Sequence, residues 1–462
     1  MTGTLAAARA AVGAPRVIAR AGPRVAARRP PVPFGEALRF WLKLGFINFG
    51  GPAGQIAIMH RALVEEKQWV TDHLFLRALN FCMLLPGPEA QQLAIYVGWK
   101  LNGIRGGIVA GSLFVVPSMF VLLLLSWLSV AYTEVPVVKG LMYGIQPVVT
   151  AIVLDAILRV GKRTLRHGLL IGFATAAFVA IFFGHLPFPL VIGAAALGGL
   201  VLKRWFPTVF QPPAHGSAQA GEQAEHPAPI EPAQAERPSR VAALRVVGAF
   251  LVLWLVPLGA LWAWRGSGDV LAQEMWFFTQ AALVTFGGAY AVLSYMADVA
   301  VNSYHWLSGA EMVRGLGLAE STPGPLIMVT EYVGFVAAWN NAGAFPRLLY
   351  ATLGALITVY ATFLPNFAFV FVGAPYIERL SRNRHLQAAL TGVGAAVVGV
   401  IANLAVSFGL KVMFPDSGVF DAFAAAVATG SFLVLRRFGT PTYYLVPLGA
   451  LAGIAWVLAG MH

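Results

Sequence analysis

The chain has 462 residues, of which 58% are hydrophobic and only 11% are charged, and its mean hydropathy is +0.72. So few polar residues cannot coat a water-soluble globule of this size, and the composition therefore indicates a membrane protein. The formal net charge is +12. Cys82 is the single cysteine, so the chain cannot form an internal disulfide. The sequence around it contains no Cys or His cluster that would indicate a zinc or iron–sulfur centre.

The first element, residues 1–33, is rich in Ala, Arg and Pro and contains no acidic residue. Its arginines favour a cytoplasmic N-terminus, because Lys and Arg remain on the cytoplasmic side of a membrane. A similar composition is typical of organelle transit peptides, but no cleavable apolar core follows this segment. We therefore predict a disordered, basic cytoplasmic tail.

From residue 34 onward, apolar runs of about 20 residues, the length that crosses a bilayer, follow one another. The runs are continuous and not alternating, which favours helices over strands. The predicted fold is an all-α polytopic membrane protein with about 13 spans. Their centres lie near residues 47, 87, 117, 147, 176, 194, 252, 286, 325, 358, 398, 427 and 452.

Basic clusters fall in the loops that this span count places in the cytoplasm. The loop of Arg61 and Lys67, predicted to lie outside, is offset by neighbouring acidic residues. The cytoplasmic clusters are Lys100 and Arg105; Arg159, Lys162, Arg163 and Arg166; Lys203, Arg204, Arg237, Arg240 and Arg245; Arg379, Arg382 and Arg384; and Arg436 and Arg437.

The two halves of the chain repeat two helix-breaking motifs at one displacement, 237 residues (286 − 49). Two further landmarks keep nearly the same spacing, so the chain is an internal duplication. The motifs are Phe49-Gly50-Gly51, repeated as Phe286-Gly287-Gly288, and Pro86-Gly87-Pro88, repeated as Pro323-Gly324-Pro325.

The duplication divides the chain into five parts. They are the tail (1–33), the first repeat (34–206), a Pro- and Ala-rich cytoplasmic linker (207–240), a connecting span (241–265) and the second repeat (273–462). The repeats begin seven predicted spans apart, and an odd number makes the second repeat enter the membrane in the opposite sense. We therefore predict two inverted-topology repeats with broken helices. If a broken segment is a re-entrant hairpin, the span count changes.

A Pro-Gly-Pro motif in an apolar run ends one helix and starts another. The new helix directs unpaired N–H groups and the positive end of its dipole into the membrane, where they can hold an anion. The alternative is a simple kink satisfied by neighbouring helices. Because the break occurs twice, we predict a substrate site at Gly50, Gly51, Pro86, Gly87, Pro88, Gly287, Gly288, Pro323, Gly324 and Pro325.

Glu89 and Gln91 follow the first Pro-Gly-Pro, and an ionisable group inside a span is expected to be functional. Leu326 stands at the position equivalent to Glu89, so the carboxylate occurs in one half only. The alternative role of Glu89 is to cap the restarted helix.

Two cations complete the predicted substrate-binding set. Lys43 lies six residues before Phe49 and either neutralises a bound anion or reaches the lipid headgroups. Arg77 matches Arg314, and both either contribute to gating or extend to the membrane interface.

Residue patterns for catalysis are missing from the sequence. It contains no Gly-x-Ser-x-Gly, no His-Glu-x-x-His and no paired carboxylates at helical spacing within a span. We therefore predict no enzyme activity, no catalytic residue and no metal site.

The helix-breaking motifs, together with Glu89-Ala90-Gln91-Gln92 and Tyr96-Val97-Gly98-Trp99, resemble those of the chromate ion transporter family in its long two-repeat form. The resemblance covers about residues 34–200 and 273–461. It implies export of chromate across the bacterial inner membrane, often conferring chromate resistance, with sulfate as a structural mimic. It implies no cofactor and no nucleic-acid partner. In the second half, Ala289 stands at the position of Pro52, and Leu326 at that of Glu89. The anion site is therefore assigned mainly to the first half.

Chromate and sulfate are both doubly charged tetrahedral anions, so a site of N–H donors would discriminate only modestly between them. A cytoplasm-negative potential drives anions outward by about 2.3 kcal/mol per charge per 100 mV. The alternative function is a sulfate or other oxyanion permease, and inward transport would require a coupled cation. The sequence does not determine the coupling ion or the oligomeric state, and a homodimer is one of the states that it leaves open.

Overall fold

A computed structural model describes residues 32–210, 240–286, 288–377, 380, 383–415 and 418–460. Over these residues the secondary structure is helical and contains no strand, as the sequence predicts. The predicted tail up to residue 31, the linker residues 211–239, Gly287, Arg379 and Arg382 lie outside the described residues.

The described part of the first repeat contains eight α-helices, α1 to α8. They are Phe34–Ile47, Gly51–His60, Asp72–Cys82, Glu89–Leu113, Val116–Ala131, Pro136–Thr164, Gly168–Phe182 and Phe188–Leu202. The connecting helix α9 follows at Arg240–Arg265.

Eight more α-helices, α10 to α17, occur in the described part of the second repeat. They are Val270–Val284, Ala289–Asp298, Gly309–Ser321, Val329–Asn340, Arg347–Gly373, Arg384–Met413, Ala422–Phe438 and Thr442–Leu458. A single 3₁₀ turn, Leu326–Met328, leads directly into α13.

The two halves share the same succession of elements. In each half the second helix continues as a π-helix, Arg61–Glu66 after α2 and Val299–Ser303 after α11. A short helix then leads to the Pro-Gly-Pro motif in both halves. The duplication read from the sequence is therefore also present in the element order.

Five helical segments in the described part are long and apolar enough to cross a membrane. They are Glu89–Ala131, Pro136–Thr164, Val241–Arg265, Arg347–Tyr376 and Arg384–Met413. Shorter apolar helices are Gly168–Phe182, Phe188–Leu202, Leu326–Asn340 and Thr442–Leu458. The chain is a multi-pass helical membrane protein.

The predicted spans centred near residues 47, 87, 286 and 325 are not continuous helices. Each centre falls at a break: α1 ends at Ile47 before α2 starts at Gly51, and α3 ends before the first Pro-Gly-Pro. The second half breaks at the equivalent places. Gly87 and Gly324 have φ angles of 116° and 105°, a backbone conformation that glycine adopts readily and other residues rarely adopt.

After each break of the first half, the chain returns to the vicinity of the start of α1. The Asn102 side chain, at a non-helical step in α4, donates a hydrogen bond of 2.8 Å to the carbonyl oxygen of Val32. Lys67 Nζ lies 3.2 Å from Glu36 Oε1 in the first turn of α1. The loop of Lys67, predicted on the opposite side from the N-terminus, therefore lies beside the start of α1. The reason is that α1 and α2 do not form one continuous span.

A corresponding return occurs in the second half. Asn340, the last residue of α13, donates a hydrogen bond of 3.1 Å to the carbonyl oxygen of Trp306, three residues before α12. The helix pair α12 and α13 is therefore a hairpin with the Pro-Gly-Pro at its tip.

The long helices pack across the halves. Helix α6 packs on α16 and α17 of the second half, whereas α15 packs on α7 and α8 of the first. Glycines allow the backbones to touch: a Cβ on Gly144 would collide with the carbonyl oxygen of Gly449, and one on Gly399 would collide with that of Ala174. This exchange of partners ties the two repeats into one body around the breaks.

Candidate functional site

The four helix breaks meet in the interior, and each half supplies one partner to the other. The backbone N–H of Gly87 donates to the carbonyl oxygen of Thr285 at 2.8 Å, and the N–H of Gly324 donates to that of Asn48 at 2.8 Å. Asn48 and Thr285 are equivalent residues, 237 apart (285 − 48). Each Pro-Gly-Pro motif therefore reaches the other half's first break, an arrangement called the crossing below.

These hydrogen bonds determine which N–H groups remain for a ligand. The amides of Gly87 and Gly324 are already used within the crossing. In α4 the first backbone bond of helical type runs from Gln92 N to Pro88 O at 3.1 Å, so the N–H groups of Glu89, Ala90 and Gln91 precede the helical ladder. In the second half Met328 N bonds to Pro325 O at 2.9 Å. The donors available to an anion therefore belong to the first turn after each motif.

A network of buried amides holds the first Pro-Gly-Pro. Gln92 Nε2 donates to Pro86 O at 2.6 Å and to Asn366 Oδ1 at 3.0 Å. Asn366 Nδ2 in turn donates to Gln91 Oε1 at 2.9 Å. All three side chains are at most 1% exposed. Gln91, predicted to bind substrate, is therefore engaged in joining α4 to α14.

Gln55 performs a similar function for the second Pro-Gly-Pro. Its Nε2 atom donates to Gly324 O at 2.5 Å, and the side chain is completely buried. Val292 stands at the equivalent position of the second half. Partners such as Gln55 with Gly324 and Gln92 with Asn366 could not be predicted from the sequence, because these contacts join residues more than 250 positions apart.

Neither Pro-Gly-Pro glycine has room for a side chain. A Cβ on Gly87 would collide with Asn366 Oδ1 and lie 2.7 Å from Gln92 Nε2. A Cβ on Gly324 would collide with Ser118 Oγ and lie 2.6 Å from its Cβ. Each glycine therefore packs against a side chain of the other half or of the amide network.

Glu89 is the first residue of α4 and is half-buried, with Arg163 in range for electrostatic attraction. Its counterpart Leu326 is buried. The carboxylate therefore lies at the start of one restarted helix only.

A second polar cluster adjoins the breaks and was mostly missed by the sequence analysis. The Tyr290 hydroxyl donates to Glu320 Oε1 at 2.7 Å. Asp155 Oδ2 lies 2.7 Å from Arg159 Nε, and its Oδ1 lies 3.6 Å from Arg436 Nη1. Arg159 is also in electrostatic range of Glu320. Asp155 within an apolar run, followed by an arginine four residues later, was the available signal.

Other carboxylates are buried away from this cluster. Glu274 in α10 and Glu331 in α13 are both 0% exposed, and neither has a hydrogen-bond partner within the described part of the chain. Glu331 follows the second Pro-Gly-Pro within α13, whereas Glu274 precedes the Gly-Gly break in α10.

The remaining predicted residues differ in their surroundings. Pro86, Pro88, Pro323 and Pro325 are buried, Gly51 and Gly288 are half-buried, and Gly50 is exposed. Lys43 lies exposed on α1, and Arg77 on α3 is half-buried in electrostatic range of Tyr96. The described contacts do not bring Lys43 into the crossing. Within the described residues, no group of three or more His, Cys, Asp or Glu is placed to hold a metal ion.

A multi-pass helical protein built from two like halves, with broken helices meeting in its interior, has the architecture of a transporter. Residues 35–200 and 272–454 match the family model described as "Chromate transporter". These regions make up more than half of the chain, which belongs to the chromate transporter family.

Three relatives carry chromate transport in their names. A "Chromate transport protein" of Cupriavidus metallidurans is 27% identical over 91% of this chain and 92% of its own length. One of Pseudomonas aeruginosa is 29% identical over 80% of each chain. A "Probable chromate transport protein" of Synechococcus elongatus is 27% identical over 82% of this chain and 86% of its own. No solved structure is significantly similar to the chain.

Proposed function

We propose that the protein exports chromate from the cytoplasm across the bacterial inner membrane and thereby confers chromate resistance. Membership of the chromate transporter family and the names of the three relatives support chromate as the substrate. Sulfate, which has the same shape and charge, would compete for the same site.

The substrate site is the crossing. The single observation that carries this assignment is the reciprocal pair of hydrogen bonds, Gly87 to Thr285 and Gly324 to Asn48, which joins each Pro-Gly-Pro to the first break of the other half. The first turn of α4 and the turn at Leu326 then supply unpaired N–H donors and positive dipole ends to one region. Such donors can replace the hydration of a dianion without a metal or a cofactor.

The hairpins lead to a revised topology. The pairs α1–α2, α3–α4 up to Asn102, α10–α11 and α12–α13 enter the membrane and return to the same side. The membrane is then spanned nine times. One span is the segment from α4 after Gly103 through α5, and the others are α6 to α9 and α14 to α17. Five of these lie between the starts of the two repeats, an odd number, so the second repeat is still inverted.

The charge distribution supports this orientation of the chain in the membrane. Arg159, Lys162 and Arg163 lie at the C-terminal end of α6, and Arg436 and Arg437 at that of α16. By the positive-inside rule these ends are cytoplasmic, as is the N-terminus. The Asp155, Arg159 and Glu320 cluster then lies on the cytoplasmic approach to the crossing.

Growth and accumulation in cells test the function. Cells expressing the protein should tolerate more chromate and accumulate less of it than cells carrying the empty vector, and sulfate uptake should not rise. Increased chromate sensitivity with increased sulfate uptake would instead indicate an inward oxyanion permease. No change in either quantity, with the protein present in the membrane, would contradict both functions.

A further inference from the structure

A cavity of about 530 Å³ lies apart from the crossing, at the other end of α6 from the cluster of Asp155 and Arg159. It is bounded by the first turns of α6 and α16, by α12 and by the end of α17. Volumes of this size are typical of small-ligand sites. Its lining includes the polar residues Lys139, Tyr143, Gln146, Arg314 and Asp421.

Two cations contribute to this cavity, Lys139 from α6 and Arg314 from α12. Arg314 Nε is buried and has no hydrogen-bond partner among the described residues. Neither cation forms an ion pair in the described part of the chain. A buried guanidinium N–H without a partner is costly, and its most favourable partner is an anionic oxygen.

The neighbouring carboxylates are already engaged. Asp421 caps α16 by accepting from Ala424 N at 2.8 Å, and it accepts the Tyr143 hydroxyl at 2.6 Å. Glu311, one turn before Arg314, accepts from Ser308 N at 2.7 Å in a capping box. Both acids are held by helix ends, and neither lies within ion-pair distance of Arg314 or Lys139 in the described part of the chain.

The same helix joins this cavity to the crossing. Arg314, Gly317 and the Ser321 at the end of α12 follow one another along one face, and the second Pro-Gly-Pro comes next. At Gly317 helix α12 packs closely on α6: a Cβ there would collide with Ile145 Cγ2 and lie 2.9 Å from Val149 Cγ2. Helices α12 and α6 are therefore in direct contact between the cavity and the crossing.

We propose that this cavity is a second oxyanion site, on the release side of the membrane, in which Arg314 and Lys139 hold the tetrahedral dianion after it leaves the crossing. The proposal rests on the proposed function for its direction. The anion enters the cavity when the α6–α12 contact at Gly317 separates. The exposed Lys139 contributes less than Arg314 because solvent screens its charge.

Thiol labelling tests the site independently of transport. Cys82 is buried and is the only native cysteine, so Gln146→Cys introduces one accessible thiol into the cavity. A membrane-impermeant thiol reagent is applied to right-side-out vesicles with and without sulfate, a tetrahedral dianion that does not oxidise thiols. Sulfate should slow labelling of Gln146→Cys by about tenfold or more at saturation, and Arg314→Gln should remove this protection. The exposed Ser303→Cys is the control, which sulfate should not protect.

Flux from the two faces provides the second measurement. In inside-out vesicles, chromate in the lumen inhibits further uptake, and Arg314→Gln should raise the luminal concentration that gives half-inhibition by on the order of tenfold. The chromate concentration that half-saturates uptake at the cytoplasmic face should stay unchanged. Arg347→Gln, an exposed cation at the start of α14 outside the cavity, should change neither.

The outcomes separate the two proposals. The second site is overturned, even if chromate is exported, when Gln146→Cys is not labelled or is labelled equally fast with and without sulfate. It is also overturned when Arg314→Gln changes the half-effect concentrations at the two faces equally. Protection by sulfate without any chromate flux leaves the second site standing and contradicts the export of chromate.

Discussion

The backbone N–H of Gly87 donates a hydrogen bond of 2.8 Å to the carbonyl oxygen of Thr285, which joins a break of the first half to a break of the second. Gly324 and Asn48 form the equivalent bond. Since each half completes the other, neither half can form this site alone. The duplication thus has a structural consequence, because a single set of breaks would leave these carbonyl groups without partners.

Alanine at Gly87 or at Gly324 should abolish most chromate flux while the protein remains in the membrane. Both glycines have positive φ angles, a conformation that costs another residue about 1–3 kcal/mol, and both lack room for a methyl group. The measurement is chromate uptake by inside-out vesicles at equal expression. Gly172→Ala, at a helical glycine with open space around it, is the control and should transport normally. Undiminished flux in both test variants would contradict a site at the crossing.

Gln92→Leu should lower the free energy of unfolding by about 1–3 kcal/mol, because the buried Pro86 carbonyl and Asn366 lose a donor. The melting temperature in detergent, compared with that of the wild type, measures the change. Gln273→Leu removes an exposed bond to Gly268 and should leave the melting temperature nearly unchanged. Equal effects of the two substitutions would show that the amide network does not stabilise the crossing.

Glu89→Gln should weaken the pH dependence of transport. A bound dianion and a carboxylate at the start of α4 repel each other, so anion binding favours the protonated acid. Wild-type flux should then fall as the pH rises, whereas the neutral glutamine should preserve flux at higher pH. Chromate flux is measured against pH at fixed membrane potential, with the exposed Glu36→Gln as the control. Superimposable profiles for wild type and Glu89→Gln would leave Glu89 only the role of a helix cap.

The hairpin topology predicts the sidedness of two loops. In intact cells, an impermeant thiol reagent should label Ser303→Cys and fail to label His73→Cys, because the hairpins return to opposite faces. Thirteen continuous spans would give the reverse pattern. Both residues are exposed in the structure, so a lack of labelling reports the membrane barrier and not burial.

The sequence predicted the breaks correctly because Pro-Gly-Pro and Gly-Gly act locally on the backbone. It also predicted the duplication and the all-α fold, which depend on composition and spacing. It left open whether the chain turns back at the breaks, because an apolar hairpin and an apolar span have the same composition. The return is visible only through contacts such as those of Asn102 with Val32 and Lys67 with Glu36.

The partners within the site were also beyond the sequence. Asn366 joins two helices through its bond to Gln91, and Gln55 joins α2 to the second Pro-Gly-Pro. Their assignment to particular motifs depends on how the halves interlock. Gln91, interpreted as a ligand, supports α14 through its side chain, so its contribution to an anion would come from its backbone N–H.

The most direct test of the account is chromate flux into inside-out membrane vesicles under an imposed potential, positive inside the vesicle, with sulfate as competitor. Chromate should accumulate in the vesicles, its accumulation should increase with the potential, and sulfate should inhibit it competitively. Membranes without the protein should show no such accumulation. Two results would contradict chromate export. One is potential-dependent uptake of sulfate without uptake of chromate, and the other is no uptake of either oxyanion by vesicles that contain the folded protein.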